Sequence, residues 1–352
     1  MTPINLLICI FNLYYFNNIK ITINFNKRQQ IVNSNTQILK NTKRNILDII
    51  RRLKNGEIVA LPTETVYGLA GRCDMDSTIK NIYKIKNRPR NNPLIIHYGN
   101  AISALKDIHA DSRAKKLAKM FWPGPLTIVA KVKNESISKL ALSNLDTIAV
   151  RVPSNKAILS ILKNLKIPIA APSANRYGKI SPTSANDVYE ELNGKVSIIL
   201  DGGISNIGLE STIVDLTTKE IKILRPGAIS KKIISEIVPI KKNILTQKKI
   251  SSPGLSLSHY SPDTSMRINA IRPKKNEAWL AYGEIPNNFD GIKLSLSKKK
   301  CLKECARNLY KMLRKLDKKG VSKIAVQKIP EEGLGIAIND RLKRAAYKKL
   351  CK

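Results

Sequence analysis

Three stretches of the chain gather polar and charged side chains in patterns that suit an anionic ligand. The densest is Lys86-Asn87-Arg88-Pro89-Arg90-Asn91-Asn92-Pro93, with three cations in five residues and two prolines to stiffen it. An arginine there can grip phosphate or carboxylate through two parallel N–H bonds, while a lysine acts as a point charge. A solvated basic turn would have the same composition. The second stretch is Ala170-Ala171-Pro172-Ser173-Ala174-Asn175, followed by Ser181-Pro182-Thr183. Small residues allow close backbone approach, and the hydroxyls and amide are neutral partners for a nucleotide or an amino acid. Serine, asparagine and proline are equally common as plain turn residues. The third set comprises Thr63-Glu64-Thr65, Glu210-Ser211-Thr212, Arg151 and Arg225, all at strand edges. An arginine inside Ala149-Val150-Arg151-Val152 needs an acidic partner or an anionic ligand, because an unpaired buried charge is costly. Cations and hydroxyls abound, and no nucleophile–base pair stands out. That profile suits electrostatic stabilisation of phosphoryl or nucleotidyl transfer, where positioning matters more than covalent catalysis.

Other chemistries are excluded by what the chain lacks. It has no Gly-x-x-x-x-Gly-Lys-Ser/Thr and no Gly-x-Gly-x-x-Gly after a strand. His97, His109 and His259 are far apart and form no His-Glu-x-x-His, and there is no Gly-x-Ser-x-Gly elbow. Cys9, Cys73, Cys301, Cys305 and Cys351 are odd in number and scattered, which reads as free thiols in a reducing cytosol rather than a zinc site.

The elements that must position these groups alternate between helix and strand. Ile46, Ile49, Ile50 and Leu53 make one apolar stripe of a helix over 38–54, stopped by Asn55-Gly56. Further helices are expected at 76–86, 112–121, 155–164 and 184–193. Strands are expected at 57–61, 94–98, 126–132, 147–152, 168–171, 197–200, 211–216 and 220–224. The pattern is α/β with a mixed sheet. Residues 241–262 lack periodicity and read as a linker; beyond it, strands at 277–283, 292–296 and 322–329 and helices at 301–317 and 337–350 make a small second α/β domain.

The chain has 352 residues, enough for two domains of ~100–200 residues each. Its 62 Lys and Arg against 26 Asp and Glu leave a net charge of +36, which favours polyanionic partners. The excess is spread along the chain, as a solvated lysine-rich surface would be. Residues 298–352 hold 18 Lys and Arg against 5 Asp and Glu and are the best candidate for weak RNA contact. No run of ~18 apolar residues is present, so no membrane span is expected. Ile4–Phe16 is apolar but has neither a basic segment before it nor a small-residue cleavage site after it, so residues 1–37 are expected to lie outside the fold.

Taken in order, several motifs resemble one family. They are Leu61-Pro62-Thr63-Glu64-Thr65-Val66-Tyr67-Gly68-Leu69, Lys86-x-Arg88-Pro89, Trp122-Pro123-Gly124-Pro125-Leu126-Thr127, Pro172-Ser173-x-Asn175, Glu210-Ser211-Thr212-Ile213-Val214-Asp215 and Arg225-Pro226-Gly227. Together they resemble the threonylcarbamoyl-AMP synthases, with their YrdC-like fold. Ser252-Pro253-Gly254 and His259-Tyr260-Ser261-Pro262 resemble the interdomain linker of the longer, two-domain form, although Leu255-Ser256-Leu257-Ser258 is blander than usual there.

The resemblance implies a YrdC-like twisted mixed sheet with flanking helices over 38–240, a linker that acts as a lid over 241–262, and a small Rossmann-like α/β domain over 263–352. It implies a cytoplasmic nucleotidyltransferase that joins L-threonine, bicarbonate and ATP into threonylcarbamoyl-AMP and pyrophosphate. Mg²⁺ would come with the ATP phosphates, with no protein-held metal and no tightly bound organic cofactor. The product would pass to the complex that transfers threonylcarbamoyl to tRNA. By motif, Lys86 and Arg88 would be catalytic, and Thr65, His97, Arg151, Ser173 and Ser211 would hold threonine. Arg88, Asn92, Thr147, Asn175, Thr183, Arg225 and Tyr260 would hold ATP. Two other readings compete: a double-stranded RNA-binding or ribosome-maturation protein using the same basic concave surface, and a carbamoyl-transferring relative, whose upstream cysteine pairs are missing here.

Overall fold

The structure, a computed structural model, describes residues 35–240 and 258–347. In the first domain the strands are β1 (Gln37–Lys40), β2 (Val59–Leu61), β3 (Gly68–Arg72), β4 (Ile95–His97) and β5 (Leu126–Lys131). They continue as β6 (Thr147–Arg151), β7 (Ile169–Ala170), β8 (Ile198–Asp201), β9 (Thr212–Asp215) and β10 (Lys222–Arg225). The helices are α1 (Lys43–Lys54), α2 (Asp76–Lys86), α3 (Ala101–Lys106), α4 (Ser112–Phe121), α5 (Lys156–Leu165), α6 (Ala185–Leu192) and α7 (Lys231–Ile237). Among the described residues these strands form one ten-stranded sheet in the order β1-β8-β2-β3-β7-β4-β6-β5-β9-β10, with parallel and antiparallel neighbours mixed.

The faces of this sheet follow from the period of two along each strand. Ala60, Leu69, Ala170 and Ile199 turn to the face packed by α2, α4, α6 and α7, where Ile79, Leu117, Val188 and Ile234 are buried. Their neighbours Val59, Leu61, Ile169, Ile198 and Leu200 turn to the other face, against Ile49, Ile50 and Leu53 of α1 and Ile158, Ile161 and Leu162 of α5. These two helices cover only part of that face. Over β4, β6, β5, β9 and β10 it carries a separate apolar row of Ile95, Ala149, Val129, Ile213 and Leu224.

Several expectations shift. Residues 37–40 are strand rather than the start of a helix: Gln37–Lys40 pairs in parallel with β8, and the Thr42 hydroxyl caps α1 by accepting from the Asn45 N–H at 3.3 Å. The fold also opens earlier than residue 38, because Thr36 is buried and its hydroxyl donates to the Val196 carbonyl at 2.6 Å. β3 was not expected, since Gly68-Leu69-Ala70-Gly71-Arg72 has two glycines and no β-branched residue. α3 and α7 are short and were also unexpected.

The second domain holds β11 (Ser265–Ala270), β12 (Glu277–Ala281), β13 (Lys293–Ser295), α8 (Leu302–Asp317), β14 (Lys323–Gln327) and α9 (Leu334–Ala346). Its four strands are all parallel, in the order β11-β14-β12-β13. β11 was not expected, although Met266, Ile268 and Ala270 alternate with Ser265, Arg267 and Asn269 as a strand with one buried face does. The final helix starts at Leu334, three residues earlier than expected; residues 348–350 of that expectation, and 241–257 of the linker, lie outside the described residues.

The two domains share a core. Val66, Ile180 and Leu209 of the first are buried among Leu309, Leu313, Ile338 and Leu342 of the second. Gly208, at φ +76°, meets the backbone of α8 so closely that a Cβ there would lie 2.6 Å from the Arg307 Cα. Arg314 adds an ion pair to Glu191 at 3.1 Å, and Lys318 one to Glu190 at 2.5 Å. Leu209→Ala is expected to destabilise the chain by about 2–5 kcal/mol in urea unfolding, whereas Leu47→Ala, on the exposed side of α1, should change it by about 0.5 kcal/mol or less.

Candidate active site

A partly open cavity of about 50 Å³ lies on the sheet face that α1 and α5 leave uncovered. His97 and Arg151 are aligned at the ends of the parallel strands β4 and β6, each two residues beyond a member of the apolar row. Thr127 and Ser211 extend the same polar edge, their hydroxyls 2.7 Å apart. The turn after β2 brings Thr63 and Thr65 to the wall. The Thr63 hydroxyl accepts from the Thr65 and Val66 N–H groups at 3.1 Å and donates to the Val66 carbonyl at 2.6 Å, so the turn is fixed by its own side chain.

Arg151 has the acidic partner its strand position demanded. Its Nη2 donates to Glu64 Oε1 at 2.5 Å, and both side chains are buried. Glu64 Oε2 accepts from the Ser154 N–H at 3.1 Å. Glu64 stood within the quoted motif without a role. The signal that could have found it was the need of Arg151 for a counter-charge.

The basic corner behaves differently from a row of point charges. Lys86 ends α2 and is almost wholly buried, with its Nζ donating to the Ser173 and Asn175 carbonyls at 2.5 Å each. Burial, and then Arg88, hold its ammonium well below the usual lysine range. Lys86 thus braces the Pro172–Asn175 turn and does not itself line the cavity. Arg88 does line it. Its Nε donates to the Asn92 carbonyl at 3.0 Å, and its Nη2 to Asn92 Oδ1 at 2.5 Å and the Pro93 carbonyl at 2.8 Å.

Arg225 lines the cavity as well, with its Nε and Nη2 donating to the Ser211 carbonyl at 3.1 and 3.0 Å and Nη2 also to Ser211 Oγ at 3.1 Å. The Arg225-Pro226-Gly227 turn packs so tightly here that a Cβ on Gly227 would sit 2.4 Å from the Thr212 nitrogen. Glu210 lines the cavity beside it and accepts from Ser181 Oγ at 2.7 Å, the Tyr310 hydroxyl at 2.9 Å and Arg341 Nε at 2.8 Å. Tyr260 and His259 close the wall, the Tyr260 ring stacked at 5.9 Å on Tyr310.

Of the residues expected from sequence, Thr65, Arg88, His97, Arg151, Ser173, Arg225 and Tyr260 line this one cavity. Lys86, Asn92, Asn175 and Ser211 stand behind it, each bonded to a lining residue or its turn. Thr147 and Thr183 do not line it. Thr147 begins β6, at the far end from Arg151, and the Thr183 hydroxyl donates to Asp187 Oδ2 at 3.1 Å. Thr63, Glu64 and Glu210, named in the sequence without a role, also line or brace the cavity, and Tyr310 and Arg341, which the sequence did not point to, bond to Glu210. The cations are turned into an enclosure, with Arg151 and Arg225 each 4% exposed, which disfavours a surface for an RNA backbone. Asn92 Nδ2, Asn175 Oδ1 and the Tyr260 hydroxyl are buried with no hydrogen-bond partner among the described residues, as expected where a polar ligand binds.

Fold and site together define a two-domain α/β protein with a pocket lined by guanidinium groups, hydroxyls and a buried imidazole. A family model described as "Telomere recombination" matches residues 51–227, and one described as "Threonylcarbamoyl-AMP synthase, C-terminal domain" matches 229–347. The chain is 37% identical over 323 residues to a threonylcarbamoyl-AMP synthase of Pyrococcus abyssi, covering 85% of this chain and 93% of that one. It is 36% identical over 314 residues to one from Bacillus subtilis, covering 84% and 90%. A crystal structure of P. abyssi Sua5 complexed with L-threonine superposes with a TM-score of 0.80 at 34% identity, over 88% of this chain and 98% of that one. The chain belongs to the threonylcarbamoyl-AMP synthase family.

Electrostatics of the pocket couple it to acid stability. Burial, with Arg151 next, lowers His97 from an ordinary 6.5 to about 3. Burial likewise lowers His259 to about 3; Glu210 opposes it, and Arg88, Lys86 and Arg225 add to it. Burial pushes Glu210 up, but Arg341 first, then Arg225 and Ser181, outweigh it and bring the carboxyl from 4.5 to about 2. Below pH 6.5 the unfolded chain protonates both imidazoles and the folded chain does not, so their contribution is present above 6.5 and lost as pH falls toward 3. The Glu210 contribution is present above 4.5 and fades toward 2. The thermal midpoint is expected to fall steadily from pH 6.5 to 4.5, and His97→Asn to flatten that slope; parallel slopes would contradict a buried neutral imidazole.

Proposed function

We propose that this chain joins L-threonine, bicarbonate and ATP, taken up as its Mg²⁺ complex, into threonylcarbamoyl-AMP with release of pyrophosphate. The observation that carries this reading is the convergence of Thr65, His97, Arg151 and Ser173 with Arg88 and Arg225 on one cavity. The threonine amine attacks the bicarbonate carbon, water leaves, and a carbamate forms. A carbamate oxygen then attacks the α-phosphorus while the bond to the bridging oxygen breaks and pyrophosphate departs. The protein supplies no nucleophile in this sequence. Its task is to hold three anionic reactants together and offset the charge that crowds the transition state.

In this reading Arg151 meets the threonine carboxylate or the carbamate, with Thr65, Ser173 and His97 around it. A histidine held near 3 is a poor base at neutral pH and serves as an uncharged hydrogen-bonding group. Ser211 contributes through the Arg225 guanidinium it anchors. Arg88, Asn92, Asn175, Thr183 and Arg225 serve the nucleotide. Support for Thr147 is that it shares the face of Ala149 and Arg151, on the far side of the apolar row. Lys86 acts through the Ser173–Asn175 turn. Among the described residues no group of three or more acidic, histidine or cysteine side chains is arranged for a metal, and Glu64 and Glu210 are spent on arginines. No step is therefore assigned to a protein-held ion.

A cavity of about 50 Å³ is well below the ~300–1,000 Å³ usual for organic ligands. Entry of ATP thus calls for Tyr260 and His259 to shift, in keeping with a lid at the end of the linker. The product would pass, in the cytoplasm, to proteins that transfer threonylcarbamoyl to tRNA. Pyrophosphate release is expected to require both threonine and bicarbonate; equal cleavage of ATP without threonine would overturn the reading. Arg88→Ala is expected to lower kcat by about 10²–10³ in that assay, and activity near wild type would remove Arg88 from the mechanism.

A further inference from the structure

The small domain buries an arginine where its own packing gives little reason for one. Arg341 of α9 is 1% exposed, among Ile338, Leu342, Leu309 and Leu313. Within its domain the guanidinium donates to Asp340 Oδ2 through Nη1 at 2.7 Å. Its Nε leaves the domain and donates to Glu210 Oε2 in the cavity wall at 2.8 Å. The guanidinium carbon also lies 5.2 Å from the centre of the Tyr260 ring, within cation–π reach. Tyr310 of α8 completes the arrangement by donating to Glu210 while stacking on the same Tyr260 ring.

We infer that Arg341, with Tyr310, is a positioning residue through which the small domain sets the charge and shape of the catalytic cavity. A carboxylate as enclosed as Glu210 must be neutralised by a partner or by a proton. The arginine that neutralises it comes from outside the catalytic domain. Glu210 is joined directly to Ser211, whose carbonyl and hydroxyl anchor Arg225. Without Arg341, the field that still acts on Glu210 from a neighbouring guanidinium is that of Arg225, a residue assigned to ATP. An unneutralised Glu210 would then draw on a cation meant for the substrate, and the Tyr260 ring would lose the charge lying over it. Removing Arg341 is thus expected to act on catalysis, and removing the charge of Glu210 at the same time is expected to undo much of the harm.

This inference rests on the synthase reading, and the experiment separates the two. In the full chain, threonine- and bicarbonate-dependent pyrophosphate release is measured for wild type, Arg341→Met, Glu210→Gln and the double variant, with the thermal midpoint of each. Absence of threonine-dependent release in wild type would refute the synthase reading itself. With wild type active, Arg341→Met is expected to lose on the order of 10²-fold in kcat/KM, as misplacement around a reacting centre does, and the double variant to recover at least about tenfold of it. A purely structural role for Arg341 would lower and restore the thermal midpoint while leaving kcat/KM of the folded enzyme unchanged. Arg341→Met at wild-type activity, or a double variant no better than the single, would overturn the inference. If Arg341→Met melts too low to assay, Tyr310→Phe replaces it. That change removes one donor to Glu210 and is expected to lower kcat/KM several-fold, with Glu210→Gln restoring it; an unchanged kcat/KM would overturn the inference equally.

Discussion

Burying several positive charges around one small cavity is the constraint on which the rest of this molecule depends. Arg88, Arg151 and Arg225 surround one small cavity, with the Lys86 ammonium just behind it. Each such charge needs a carboxylate or a set of fixed oxygen dipoles to remain there. Arg151 has Glu64, Arg88 has the Asn92 and Pro93 oxygens, and Arg225 has Ser211. These partners hold the cations in place in advance, so little reorganisation is left to be done when an anionic transition state forms.

The sheet makes that arrangement possible by letting one face change character along its strands. Between α1 and α5 on one side and the small domain on the other, β4, β6, β5 and β9 carry an apolar row followed by a polar one. The step from Ile95 to His97, or from Ala149 to Arg151, is a single strand period. The pocket therefore needs no long loop to present its groups. Its more irregular walls come from two short turns, after β2 and after β7, each locked by a buried polar side chain, Thr63 in one case and Lys86 in the other.

Much of this was legible in the sequence because the strongest signals are local. α2 and α4 begin and end where the sequence places them, and the motif residues on β4, β6 and the Ser173 turn do meet in one pocket. What was hidden depends on distance along the chain. Nothing in the sequence near Arg341 announces that it reaches 131 positions back to Glu210. Lys86 looked like a phosphate ligand because a cation beside Arg88 carries no mark of whether its ammonium will face a pocket or two carbonyls. β3 was unreadable for a different reason: its glycines suit tight contact, one of them against Ala171, and not strand propensity.

Val66, Ile180 and Leu209 belong to the chain of one domain and the interior of the other. Separating the domains would wet all three at once and expose the apolar faces of α8 and α9 that enclose them. Loosening the small domain would therefore uncover apolar surface on the catalytic one, so the heat stability of each sheet depends on the other staying in place.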